Sequence, residues 1–201
     1  HGTPGAQNGS DHSGQPKGLG NRLWSSTEYK KRLAHLWNTV AARYATNTTV
    51  AGYDLFNEPD PEGTGTKTAI YSNSILPVLD QAYKAIRSND TQHIVFMMRN
   101  FMDTNTLDLM WSCPAPASRG WTNIVYEFHH YDGIHYGTGA SATLFAAQKG
   151  IVDRIVRAYA RFSEEKQVPV FVGEFMPIKM QNFDYFIRQF EANGIHWANW
   201  N

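Results

Sequence analysis

Short apolar runs alternate along this chain with longer stretches of helical period. Strand-length runs fall at 50–56, 93–98, 124–128, 170–175 and 195–200. Between them, apolar residues recur three and four positions apart, the spacing of one helix face. Ser25-Ser26-Thr27-Glu28 has the spacing of a capping box and opens a helix with Tyr29, Leu33, Leu36, Trp37, Val40, Ala41 and Tyr44 as its inward stripe. A second helix runs through Leu76, Leu79, Tyr83 and Ile86, with Pro77 as a kink. A short helix is expected at 105–110. A long one follows with Leu144, Phe145, Gln148, Ile151, Val152, Ile155, Val156, Tyr159 and Phe162 inward. The last helix carries Phe183, Phe186, Ile187 and Phe190 and stops at Asn193-Gly194, a C-cap pair.

Strands alternating with helices argue for a parallel α/β sheet with crossover connections. Residues 1–24 break the pattern: they hold six glycines and almost no apolar periodicity, which is loop composition. No internal repeat, charge block or linker divides the remainder, so residues 1–201 read as one domain.

The candidate chemistry lies where strands end. Asn57-Glu58-Pro59 closes the first apolar run, and proline, lacking a donor, turns the chain there. A lone acid at that corner would ordinarily be a solvated turn residue. The run 170–175, however, repeats the arrangement with Gly173-Glu174-Phe175, 174 − 58 = 116 residues later. Carboxylates at the C-terminal ends of barrel strands are placed for catalysis. Two of them about 5 Å apart suit retaining glycoside hydrolysis. A third strand end, His129-His130-Tyr131, adds an imidazole and a phenol, and alternation turns His130 away from the other two.

Asn57-Glu58-Pro59, His129-His130-Tyr131 and Gly173-Glu174-Phe175, in that order, resemble the motifs of glycoside hydrolase family 5, the cellulase-like retaining β-glycosidases. The resemblance implies a partial (β/α)8 TIM barrel: strands four to eight with the helix preceding strand four, in one incomplete catalytic domain. It implies Glu58 as acid/base and Glu174 as nucleophile. Asn57 would bind the sugar 2-hydroxyl, and Trp200 would be the aromatic platform after the eighth strand. Tyr131 is then a candidate donor to Glu174, and His129 a candidate neighbour of Glu58. The loop His1-Gly2-Thr3-Pro4-Gly5 resembles the one after the third strand of exo-β-1,3-glucanase-like members, which makes His1 a substrate-binding candidate and favours β-glucan as substrate. The arginine that the family carries at the end of its second strand has no counterpart here. A second polypeptide completing the barrel is therefore expected.

Composition changes little in this picture. Apolar residues make up 42% and charged ones 18%, as in an ordinary globule, and 18 basic residues balance 18 acidic ones. No nucleic-acid partner is implied. Aromatics at 13% with six tryptophans suit both core packing and stacking on sugar rings. Cys113 is the sole cysteine, so no internal disulfide forms. Asn8-Gly9-Ser10, Asn47-Thr48-Thr49 and Asn89-Asp90-Thr91 match the N-glycosylation pattern and permit a secreted origin. No run has the length of a membrane span, roughly 18 apolar residues. The chemistry calls for no cofactor. Metal hydrolysis through His129, His130 and His135 lacks a ligand triplet at helical or strand spacing, and His1 with His12 makes a poor metal pair. A carbohydrate-binding or assembly fragment without catalysis is the rival reading.

Overall fold

The structure, a computed structural model, describes residues 2–7, 20–61, 65–102, 107–131, 142–175 and 180–200. His1, His12 and His135 lie outside the described residues. The strands are β1 (Gly52–Asp54), β2 (Ile94–Met102), β3 (Ile124–His130), β4 (Val170–Phe175) and β5 (His196–Trp197). Their order in the sheet is their order in sequence. The helices are α1 (Arg22–Ser25), α2 (Thr27–Tyr44), α3 (Lys67–Ile70), α4 (Leu76–Arg87), α5 (Ala142–Lys166) and α6 (Met180–Ala192). None of them is long and apolar enough to cross a membrane. The chain divides into two compact units, His1–Asn100 with Thr122–Ile124, and Phe101–Trp121 with Val125–Asn201.

In the first unit β1 runs parallel to β2, with Tyr53 opposite Val95. The regular strand is shorter than the apolar run 50–56: ladder pairing ends at Asp54, while Leu55 and Phe56 beyond it stay buried. β2, conversely, runs past the expected end, through Met102. Helix α2 turns Leu33 and Ala41 into the core, and Trp37 donates its indole N–H to the Leu55 carbonyl at 3.0 Å. Leu36 does not join this stripe and is 50% exposed. It lies about 60° round the helix from Leu33, on the side away from Ala41.

The capping box does not form either. Ser25 ends α1, the N-cap is Ser26 without a side-chain capping bond, and Glu28 sits at N2. That glutamate instead pairs with Arg32 at 2.9 Å on the exposed face, an interaction of small energy. Pro77 does disturb its helix as expected. The turn before it, Tyr71–Ile75, widens to π geometry, which accommodates a residue that cannot donate and would clash with the preceding turn. Arg99 is fully buried beneath that turn, its guanidinium 5.1 Å from the centre of the Tyr71 ring.

Asp90 ties the N-terminal ends of these strands together. It accepts from the Tyr53 hydroxyl at 2.6 Å, from the backbone N–H groups of Gln92 and His93, and pairs with the His93 ring at 2.5 Å. Burial opposes its ionisation, but these hydrogen bonds outweigh it and hold the carboxyl down at about 2. A depressed folded value means stabilisation that is present above the ordinary aspartate pKa of about 3.9 and is lost as pH falls towards 2. Asp90→Ala should therefore cost about 1–3 kcal/mol at pH 7, since it strands buried donors. Melting temperatures measured from pH 7 down to 2 should show the wild-type advantage vanish across that acid window. An advantage that persists at pH 2 would contradict the role.

In the second unit β3, β4 and β5 run parallel. Tyr126 and Phe128 of β3 meet Tyr159 and Phe162 of α5 as a buried aromatic layer, with Phe128 stacked on Tyr159 at 5.1 Å. Phe175 anchors a second cluster with Phe183, Phe186 and Phe190 of α6 and with Trp197. Trp197 is half-buried against this cluster. Tyr185 donates to Asp153, joining α6 to α5, and burial first, then this bond, pushes the phenol up to about 12. The expected stop after α6 forms a complete Schellman motif. Gly194 has φ +66°, its N–H reaches the Glu191 carbonyl, and the Ile195 N–H reaches that of Phe190. Beyond β5 the chain leaves regular pairing earlier than the run 195–200 suggests. Ala198 still donates to Val172, and Trp200 to Phe175.

Candidate active site

The first unit contributes the corner after β1. Asn57 and Glu58 are half-buried, and Glu58 has φ +44°, in the left-handed region that few non-glycine residues occupy. Such strain persists only where surroundings enforce it, and it concentrates at functional positions. The enforcement comes from Gln7, which is buried. Its amide donates to the Asn57 carbonyl at 3.0 Å and accepts from the Asp60 N–H at 3.3 Å, bracketing Glu58 on both sides. Gln7 is itself held by the Trp24 indole, which donates to its carbonyl at 2.6 Å. The Glu58 N–H points to Met98 Sδ at 3.1 Å. Sequence reasoning missed Gln7 entirely, since a glutamine in a glycine-rich loop carries no periodic signal.

The second unit contributes the ends of β3 and β4. Their register passes from Phe128 opposite Val172 to His129 opposite Glu174, so Gly173 is an extra residue, a bulge. Bulges re-aim side chains, and this one puts Glu174 level with His129. Tyr131 donates its hydroxyl to Glu174 Oε2 at 2.6 Å, as expected from the sequence. His129, buried, places Nδ1 3.4 Å from the same oxygen. Its Nε2 lies 3.4 Å from Oε1 of Glu127, a buried carboxylate that the sequence reading passed over as one residue of a strand. The available signal was its spacing: Glu127 and His129 are two apart, on one face of β3. His130 is buried, like the rest of β3.

Trp200 is 52% exposed, with its ring edge-on to Tyr131 at 6.4 Å. In this chain the indole is not enclosed by core side chains. Trp200→Ala should leave the melting temperature within a few degrees of wild type, because truncations that cost about 3–5 kcal/mol are those of buried aromatics. Binding of an oligosaccharide, measured by calorimetry, should weaken up to about tenfold, on the order of the 0.5–1.5 kcal/mol that an aromatic face supplies. A large fall in melting temperature with unchanged binding would assign Trp200 to the fold.

The carboxylates, imidazole and phenol sit at the C-terminal ends of parallel strands, where (β/α)8-barrel enzymes carry their chemistry. The fold is accordingly shared with endo-glycoceramidase II from Rhodococcus sp. In its complex with a cellobiose-like isofagomine, the TM-score is 0.69 at 23% identity, over 90% of this chain and 41% of that one. XEG5A, a xyloglucan-specific endo-beta-1,4-glucanase from a metagenomic library, gives 0.66 at 15% identity, over 86% and 55%. The fold class is a partial (β/α)8 barrel, with β1 to β5 as strands four to eight. A family model described as cellulase (glycosyl hydrolase family 5) matches residues 13–201, and the chain belongs to that family.

Among curated relatives, a beta-xylosidase of Phanerodontia chrysosporium is 28% identical over 197 residues, covering 96% of this chain and 37% of that protein. A probable glucan 1,3-beta-glucosidase A of Emericella nidulans is 24% identical over 181 residues, covering 87% and 38%. The chain thus spans less than two fifths of the length of either relative.

Proposed function

We propose that this chain carries the two catalytic glutamates of a retaining β-glycosidase acting on β-glucan-type polysaccharides or oligosaccharides. The observation that supports it most is the Glu174 carboxylate, whose Oε2 accepts from the Tyr131 hydroxyl at 2.6 Å with His129 Nδ1 beside it. A hydrogen bond to a charged acceptor is short and strong, and the Tyr131 bond holds the carboxylate in one orientation. It also fixes one oxygen, leaving Oε1 to attack the anomeric carbon. The leaving oxygen takes its proton from Glu58. Water then attacks the glycosyl–enzyme ester as Glu58 takes a proton back, so both steps conserve protons and the anomeric configuration is retained. Asn57 holds the 2-hydroxyl, and Trp200 offers its exposed indole face to the sugar. The scheme uses neither metal nor cofactor.

The relatives' names point to β-glucosidic and β-xylosidic bonds, and the β-glucan preference follows the probable glucan 1,3-beta-glucosidase A among them. Activity is proposed for the completed barrel. β1 and β5 each pair with one strand only among the described residues. A polypeptide supplying further strand–helix units would cover those edges. Mixing this chain with the corresponding N-terminal portion should raise hydrolysis of laminarin or an aryl β-glucoside from background. Full activity of the chain as a monodisperse monomer would refute the need for a companion. No activity in the completed protein would favour the non-catalytic carbohydrate-binding reading.

A further inference from the structure

A buried acid normally has its oxygens satisfied, yet Glu127 does not. Its Oε1 meets His129 Nε2 at 3.4 Å, while Oε2 is buried and makes no hydrogen bond among the described residues. The carboxylate lies directly over the bulged residue of β4. A Cβ at Gly173 would stand 1.7 Å from Glu127 Oε1 and 2.7 Å from its Cδ, so only glycine leaves the acid its place. Gly173 is not at positive φ, and the glycine is therefore there for space rather than for backbone conformation. Two features that each disfavour folding, a bulge and an unsatisfied acid, thus meet at one point. That point abuts the ring facing Glu174.

We infer that Glu127 is a positioning residue. It grips His129 at Nε2, fixes the plane of the imidazole, and so aims Nδ1 at Glu174 Oε2. An imidazole can turn about its bond to Cβ, and a partner at the far nitrogen is what sets its orientation. Without Glu127 the ring loses its partner at Nε2, and with it a restraint on the aim of Nδ1 at Glu174. The inference rests on the proposed nucleophilic role of Glu174 for its kinetic consequence, but not for its structural one.

The test combines ring-nitrogen NMR of the chain with kinetics of the completed enzyme. In 15N-labelled chain, Glu127→Ala and Gly173→Ala should shift the His129 ring-nitrogen signals alike. Gly150→Ala, at a helical position with open space around it, should leave them unmoved. Kinetically, Glu127→Ala should lower kcat on the order of 10²-fold, the scale of a misplaced catalytic group, with KM within about threefold of wild type. Glu127→Gln keeps an acceptor oxygen and should restore most of that loss. The effect should vanish in a His129→Phe background, and Gly173→Ala should add nothing to Glu127→Ala. Should Glu127→Ala fail to fold, Gly173→Ala and Glu127→Gln carry the same comparison. Unmoved ring signals in the variants, or equal kcat losses with and without His129, would overturn the inference. A wild-type enzyme with no glycosidase activity but shifted ring signals would overturn the functional proposal and leave this one standing.

Discussion

Glu174→Ala should abolish hydrolysis of every β-glycoside tested, with kcat down on the order of 10⁴-fold or more, as when the nucleophile of a covalent mechanism is removed. The loss should be indifferent to the leaving group, because no glycosyl–enzyme forms whatever departs. Folding is not the explanation available to such a result. The Glu174 side chain is 20% exposed and accepts a hydrogen bond from Tyr131, so its removal should cost little stability. Circular dichroism and melting temperature beside the kinetics decide this. A variant retaining a tenth of wild-type activity would remove Glu174 from the nucleophile's role.

Glu58→Ala should behave differently. A sugar alcohol leaves only when protonated, so turnover of β-glucan should fall by about 10²–10⁴-fold, the contribution of a positioned general acid. A dinitrophenolate leaves unaided, so the first step with a dinitrophenyl β-glucoside should proceed at near its normal rate. A glycosyl–enzyme should then accumulate, since the same residue is the base of the second step. A burst of dinitrophenol followed by a slow steady state, read in a stopped-flow spectrophotometer, is the expected trace. Equal losses on both substrates would contradict the assignment.

What was legible in the sequence followed from local rules. β4 was found at its full length, because its apolar run ends on the Gly173-Glu174-Phe175 motif. α5 was found from Val152, Ile155, Val156, Tyr159 and Phe162, all buried at helical spacing. The Asn193-Gly194 stop was found because glycine takes the left-handed conformation there at no steric cost. Illegible features depended on partners distant in sequence. Gln7 braces a corner 50 residues away. The bulge at Gly173 is a property of a pairing, not of a run. Glu127 looked like one strand residue because the ring it grips and the glycine that admits it come from two strands. Ser25 failed as a cap because α1 had already claimed it, which the capping pattern alone does not register.

The most direct measurement is to trap the covalent intermediate. A 2-deoxy-2-fluoro β-glucoside with a dinitrophenol leaving group slows both chemical steps, since fluorine destabilises the oxocarbenium-like centre, while the good leaving group lets the first step proceed. Incubated with the completed enzyme and analysed by intact-protein and peptide mass spectrometry, it should add one fluoroglucosyl group. That group should reside on the peptide containing Glu174, and Glu174→Ala should remain unlabelled. Label on Glu58 or any other residue, or an active enzyme that never labels and releases product with inverted anomeric configuration, would contradict the account.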